Sequence, residues 1–387
     1  LFYSLRLRQA KRYEQVICSE DIKKFLNKFA FLRNNFRIET IKEALSYAES
    51  KNINFVTRKP KYKSDIVLGI GPSMFHDPAA ALLIDGKIVA AAEEERFNRK
   101  KHASNQLCLE SIAYCLKQAR IKANDIDQVV FAWDPAAYQG GKFDYFGRKF
   151  SKSPDRALKT LLNARRICKD KIDIVKNTCA ALGIDFSKAV FIEHHLAHAA
   201  SAYYFSGFKE SAILSIDGSG EFTATWIGKA KDNEITKIKE ISVPESLGLF
   251  YSTFTEYLGF ESNDGEYKLM GMSPYGDDSR LNFDDILTWD QNKKSYYCNE
   301  DYIWVKRSQR FNTDKMYSKL MVKRFGPPRK SDGLDDHFAH IAASTQKKFE
   351  DIVLKLVDAY LSEELSRHGN LCFAGGCALN VSLNRIL

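Results

Sequence analysis

Residues 65–96 read DIVLGIGPSMFHDPAAALLIDGKIVAAAEEER, and residues 211–229 read SAILSIDGSGEFTATWIGK. Each opens with a short apolar run that suits a buried strand, breaks at glycines and resumes as a second apolar run. In the first, Asp65–Ile70 and Ala79–Ile84 are predicted strands, and Asp85-Gly86 is a two-residue hairpin signal leading into Lys87–Ala92. In the second, Ser211–Ile216 ends in Asp217-Gly218-Ser219-Gly220-Glu221, Phe222–Lys229 alternates as the returning strand, and Ile235–Val243 makes a third. One hairpin-led opening thus occurs twice, which predicts two similar β/α lobes.

Working outward, the first lobe continues with a helix at about Asn105–Ala119, a strand at Val129–Trp133, a helix at about Arg156–Leu182, a strand at Ala189–Ile192 and a closing helix at His194–Phe205. The second continues with a long amphipathic helix at about Asp336–Glu364, the strand Asn370–Ala374, Gly375-Gly376 and a helix start. Residues 277–335 are polar, aromatic and weakly periodic, and read as an insertion or surface excursion. The expected fold class is α/β with duplicated RNase-H-like lobes, which close on a nucleotide between them. The expected domains are a helical extension at 1–62, a first lobe at 63–208 and a second at 209–387. The extension shows helical spacing, with Ile22, Phe25, Leu26 and Phe29 on one face, and Pro60 with its lysine-rich flanks reads as a linker.

Length and charge bound the function. At 387 residues and 44% hydrophobic composition the chain fills two ordinary cores and is not a disordered protein. The formal charge is +9, and residues 1–63, with 15 Lys/Arg against 6 Asp/Glu, carry the whole surplus. The remainder balances, which disfavours a nucleic-acid-binding body. No apolar run approaches the roughly 18–20 residues that span a bilayer, so no membrane role is expected. The opening LFYSLRLRQAKRYEQ lacks the apolar stretch of a secretory signal. The 8 cysteines show no CxxC pair, and a reducing cytoplasm fits them best. The start at Leu1 and the stop at Leu387, inside an expected helix, read as those of a fragment.

Five segments carry candidate chemistry. In Gly69–Ala80, His76 beside Asp77 on a glycine- and proline-rich loop suits proton transfer from a hydroxyl; the bland alternative is a turn with a capping Asp and a solvated His. In Glu193–Ser201, His194 and His198 are four apart, so one helix face presents both imidazoles to a single metal ion, although a further ligand must come from elsewhere. HExxH is absent, which excludes a zincin protease. Asp217-Gly218-Ser219-Gly220-Glu221 at a strand end offers amides to phosphate and carboxylates to a metal, or is an ordinary hairpin turn. Lys268, in Asp264–Gly276, can neutralise a phosphate or sit in a turn-rich surface loop. Gly375 and Gly376, followed by Asn380, place a close-approach loop and a helix N-terminus beside a buried strand. Cys377, with no supporting His nearby in sequence, is read as structural.

In this order the stretches GIGPSMFHDPAAALLIDGKIVAAAEEERFNRKKH, EHHLAHAASAYYFS, LSIDGSGEFTAT, SLGLFYSTFTEYLGF with DGEYKLMGMSPYG, and LCFAGGCALN resemble the NodU/CmcH-type O-carbamoyltransferases. The resemblance implies an actin-like (ASKHA) duplicated fold. It implies that carbamoyl phosphate and ATP form carbamoyl-adenylate, usually in a C-terminal YrdC-like domain, and that the present domain passes the carbamoyl group to a hydroxyl of a small molecule such as a sugar or antibiotic. It further implies His194 and His198 as ligands of a divalent metal, iron in the best-matching pattern with Mg or Mn as alternatives. His76, with Asp77, is implied to orient or deprotonate the acceptor. Asp217, Gly218, Gly220, Glu221, Lys268, Gly375, Gly376 and Asn380 are implied as the nucleotide cradle. The family's third metal ligand is an aspartate beyond the double-glycine helix, which this chain does not reach, and the YrdC-like domain is not in the sequence; the fragment is therefore expected not to activate carbamoyl phosphate unaided. The competing readings are a tRNA threonylcarbamoyl-adenosine-type transferase, which calls for a basic docking surface, and a truncated, non-catalytic nucleotide-binding module.

Overall fold

The computed structural model describes residues 66–71, 77–104, 106–135, 170–303, 315–330, 333 and 335–387. The expected extension at 1–62, His76 and the first part of the helix expected at 156–182 lie outside them. The chain divides into two compact units between His194 and His195.

In the first unit, strands β1 (Ile66–Ile70), β2 (Ala79–Ile84) and β3 (Lys87–Glu93) form an antiparallel meander. The Asp85-Gly86 turn has φ +49° and +74°, as a two-residue hairpin requires. Short helix α1 (Glu95–Asn98) and helix α2 (Leu109–Ala119) precede β4 (Gln128–Phe131), which pairs parallel with β1. Helix α3 (170–182) leads to β5 (Ala189–Phe191), parallel to β4, giving the order β3-β2-β1-β4-β5. Leu68, Leu82, Ile112, Val129, Phe131 and Val175 make its core, each at 0% exposure. Glu94 is buried there too: its carboxylate accepts from the Glu110 and Ser111 N–H groups and the Ser111 hydroxyl, capping α2 from outside the helix.

In the second unit, β6 (Glu210–Ile216), β7 (Thr223–Lys231) and β8 (Glu234–Ser242) form the same meander, and β11 (Leu371–Ala374) pairs parallel with β6, giving β11-β6-β7-β8. Three antiparallel strands with a parallel strand beside the first therefore occur twice, and this is the duplicated RNase-H-like arrangement expected. Strand β6 is buried without a break from Ser211 to Ile216 because its sheet is covered on both faces. Helix α4 (His194–Tyr203) lies on one face: Ala199 and Tyr203 pack with Ile213, Trp226, Ala230 and Cys372. The helix expected to close the first lobe thus packs its buried side chains, His195, Ala199 and Tyr203, on the second sheet. On the other face lie α5 (Leu247–Tyr257), α6 (Glu266–Met272) and the long α8 (Asp336–His368).

Residues 277–335 need a correction. They include hairpin β9 (Leu287–Asp290) with β10 (Ser295–Cys298) and helix α7 (Lys319–Phe325). Phe283, Ile286, Tyr296, Met321 and Phe325 are core residues, with Phe283 stacked on Phe254 at 4.9 Å. The described residues of the segment form a wall of the second core. Phe283 comes from the start of a turn, Tyr296 from a four-residue strand and Phe325 from a seven-residue helix, elements too short to carry a period that a sequence pattern shows.

Candidate metal centre

Helix α4 opens HHLAH, and helical geometry separates its histidines. His195 is turned inward at 0% exposure; Nδ1 meets the Ser215 hydroxyl and Nε2 the Thr223 carbonyl, each at 2.9 Å. Both ring nitrogens serve the core of the second sheet. His194 and His198, one turn apart, are only partly buried and share the other face.

The third group is Asp217, at the end of β6. Its Oδ2 lies 3.2 Å from His198 Nε2, and its Oδ1 accepts the Gly218 N–H at 2.7 Å. One donor atom from each of His194, His198 and Asp217 lies within 4.8 Å of the others. Metal–ligand bonds of about 2.0–2.2 Å place neighbouring donors roughly 3 Å apart, so the His198–Asp217 pair already fits and a small approach by His194 completes the set. Two imidazoles and one carboxylate are a donor set for Fe(II) and for other first-row divalent ions. The resemblance implied a third ligand beyond Leu387; in the structure Asp217, expected in the nucleotide cradle, stands beside the histidines.

Asp217 is fixed from two sides. Helix α5 starts against its turn: the Ser246 side chain caps α5 by accepting from Leu249 N–H and donates its hydroxyl proton to the Gly218 carbonyl at 2.7 Å. Gly248 abuts the turn so closely that a Cβ would lie 2.6 Å from Gly218 N. From β11, Gly375 adopts φ +86°, where a Cβ would fall 2.3 Å from the Ile216 carbonyl oxygen, and a Cβ at Gly376 would lie 3.1 Å from Asp217 Oδ1. Sequence reasoning missed Ser246 and Gly248 as supports; the signal present was a Ser-Leu-Gly helix start in a segment otherwise made of core residues.

The remaining expected cradle residues divide. Gly218 and Gly220 have their amides engaged within the turn, to Asp217 Oδ1 and the Thr223 carbonyl, and Glu221 is buried beside them. The geometry of this turn therefore orients Asp217 rather than presenting those two amides to a phosphate. Asn380 is buried in a reciprocal amide pair with Gln346 and caps the short helix α9 (Val381–Asn384) through Leu383 N–H, so its side chain serves packing. Lys268 is exposed on α6, its ammonium 5.8 Å from the Tyr267 ring and 5.9 Å from the Phe260 ring. Burial, followed by the charges of Asp217 and Glu266, pushes the Cys377 thiol well above its ordinary range, which suits a structural cysteine and not a nucleophile.

Asp77 lies in the first unit, and its carboxylate faces His102 at 3.0 Å. His102 was not singled out in the sequence, yet the hairpin signals it: Ala79 pairs with Glu93, so the chain after β3 returns alongside Asp77.

Residues 66–387 match the family described as carbamoyltransferase N-terminus. The chain is 38% identical over 330 residues to an uncharacterized protein of Synechocystis sp., covering 82% of this chain and 51% of that protein. It is 32% identical over 325 residues to the nodulation protein NolNO of Sinorhizobium fredii, covering 82% and 43%. The chain spans about half the length of the curated relatives it matches. Among solved structures, full-length HypF in its phosphate- and nucleotide-bound form aligns at 11% identity and TM-score 0.36, covering 84% of this chain and 51% of that one. A ROK hexokinase from Thermus thermophilus aligns at 12% and 0.32, covering 83% and 88%.

Proposed function

Because this chain belongs to the carbamoyltransferase N-terminus family, we propose that it is the transfer domain of an O-carbamoyltransferase, moving a carbamoyl group from carbamoyl-adenylate to the hydroxyl of a small molecule such as a sugar or natural product. Carbamoyl phosphate and ATP are the proposed sources of the adenylate, and the cytoplasm, which holds both, is the proposed compartment. The six cysteines among the described residues are all free thiols, and no helix of the described residues is long and apolar enough to cross a membrane.

The observation that carries the reading is the gathering of His194, His198 and Asp217 donor atoms at a strand end and a helix start, within 4.8 Å of one another. These three residues would hold a divalent cation, with iron the proposed ion; when bound, it would supply positive charge to the carbonyl or phosphate oxygens of the mixed anhydride. The chain's own residues do the rest. Asp217, pinned by Gly218 N–H and faced by His198, keeps the donors in register. The leaving group, AMP, is a good one, so the work is to position the acceptor oxygen and remove one proton. The first-unit loop carrying His76 is assigned to orienting the acceptor.

The test is carbamoyl transfer by the full-length protein, supplied with carbamoyl phosphate, ATP and glucose, N-acetylglucosamine or kanamycin as acceptors, read by mass spectrometry. A carbamate ester on any acceptor, with AMP released in step, is the expected result; AMP formation with no ester on any of them refutes the reading.

A further inference from the structure

Glu93, Glu94 and Glu95 follow one another where β3 gives way to α1, and the fold sets each a different task. Glu93 accepts from Arg96 Nε and Nη2 at 3.0 and 2.7 Å, a surface pair. Glu94 is buried and caps α2. Glu95 does neither. Its side chain is only 13% exposed, yet Oε1 has just the Arg96 guanidinium at 3.8 Å, which Glu93 already holds. Among the described residues Oε1 accepts no hydrogen bond, while Oε2 accepts the His102 N–H at 2.7 Å. A carboxylate so far withdrawn from water is costly unless positive charge or donors meet both oxygens.

Further donors stand around it. Asp77 Oδ1 lies 3.0 Å from His102 Nδ1, and donor atoms of Asp77, Glu95 and His102 all lie within 4.8 Å of one another. Metal–ligand bonds of about 2.0–2.2 Å put neighbouring donors roughly 3 Å apart. Asp77 and His102 already stand at that separation, and a small approach by Glu95 completes the set. The backbone places these groups without help from an ion, because the Asp77 N–H donates to the His102 carbonyl at 2.8 Å. Two carboxylates this close repel each other unless a cation lies between them. The imidazole makes the group a mixed donor set and not merely an acidic patch.

We infer that Asp77, Glu95 and His102 form a second divalent-cation site, made wholly of first-unit residues. Two carboxylates and one imidazole are a harder donor set than the two imidazoles and one carboxylate of the first centre, so the ion here is Mn²⁺ or Mg²⁺. The ion takes the place of the proton between His102 Nδ1 and Asp77 Oδ1. The Asp77 and His102 side chains are 45% and 24% exposed, so water completes the coordination sphere. That exposure, with Arg96, Arg99, Lys100 and Lys101 in the same stretch, makes this the weaker and exchangeable site. It fills when the ion is supplied and empties on gel filtration. Nothing in it depends on the carbamoyl-transfer reading.

The experiment is Mn²⁺ titration of the protein, with free Mn²⁺ read by electron paramagnetic resonance, for wild type, Asp77→Asn, Glu95→Gln and His102→Asn. Asparagine tolerates the left-handed backbone that Asp77 and His102 adopt at φ +56° and +61°. Circular dichroism confirms each fold, and three separate substitutions keep the test decisive should one misfold. Wild type is expected to bind one Mn²⁺ in a weaker phase beyond the tighter centre. Loss of an outer-shell partner alone costs about 10- to 100-fold, so each variant is expected to weaken that phase by at least about 10-fold and leave the tighter one unchanged. Glu93→Gln, a neighbouring carboxylate outside the donor set, is expected to change neither. In His198→Ala/Asp217→Asn protein, pulsed spectra of the bound Mn²⁺ are expected to show nitrogen-14 coupling that disappears on adding His102→Asn. Three results overturn the inference: no Mn²⁺ taken up beyond the tighter phase, a weaker phase that all folded variants leave unchanged, or equal weakening by Glu93→Gln, which would mark adventitious binding to surface carboxylates.

Discussion

Substituting Gly248 by alanine tests the support of the metal centre from outside its donor set. The added Cβ would lie 2.6 Å from Gly218 N and 2.7 Å from both the carbonyl carbon and oxygen of Asp217. All three are backbone atoms, so no side chain can swing aside. Ordinary contact begins near 3.4 Å, so helix α5 and the Asp217 turn must part by roughly 0.8 Å, an overpacking that costs about 1–3 kcal/mol. Asp217 Oδ2 is only 3.2 Å from His198 Nε2, so a movement of that size takes the carboxylate out of register with the imidazoles. Losing such support lowers metal affinity by about 10- to 100-fold. The assay is urea unfolding followed by tryptophan fluorescence, together with Mn²⁺ titration. Gly271→Ala is the control: Gly271 sits within α6 with nothing within 4 Å of an added Cβ, and alanine there is expected to stabilise by roughly 0.5–1 kcal/mol. If Gly248→Ala unfolds at the wild-type urea concentration and binds Mn²⁺ with unchanged affinity, the proposed coupling between α5 and Asp217 is wrong.

Other perturbations separate structure from chemistry. His195→Ala leaves a cavity and takes the ring partner from the buried Ser215 hydroxyl, so about 2–4 kcal/mol should be lost in chemical denaturation. Glu94→Ala removes the acceptor for three donors capping α2; a loss of about 3 kcal/mol is expected, and a change below about 0.5 kcal/mol would contradict the cap. Glu364 has its carboxyl held below the ordinary 4.5, first by the Lys229 hydrogen bond. A lowered folded-state value means this stabilisation is present above the ordinary value and fades as pH falls through the lowered one. Glu364→Gln should therefore flatten that acid limb in urea midpoints measured against pH. His76→Ala is expected to abolish transfer while nucleotide binding, measured by calorimetry, persists; loss of both would mark a structural role.

The strands were legible because their patterns are local. Asp85-Gly86 announced a hairpin with two positive φ values, and the apolar runs around Ile66–Ile70 and Glu210–Ile216 needed no tertiary context. The i, i+4 spacing of His194 and His198 was equally local. What failed to show depends on contacts between distant segments. The core role of Phe283 and Tyr296 comes from contacts with distant segments: Phe283 stacks on Phe254, and Tyr296 belongs to a strand of four residues, too short to show a pattern. Asn380 reads as a cradle residue until Gln346 is seen to take up its amide. Asp217 could be placed on a turn but not beside His198, because the helix and the strand end meet only in the folded sheet. Gly248 and His102 act through neighbours on other segments, and no pattern along one segment reports that.

The account stands most directly on elemental analysis of protein purified under reducing conditions in parallel with His198→Ala and Asp217→Asn. It predicts close to one divalent ion per wild-type chain, with the ion gone from both variants while their folds persist. Undiminished metal content in the two variants, or a wild-type chain that takes up none when Fe²⁺, Mn²⁺ and Mg²⁺ are supplied, would contradict it.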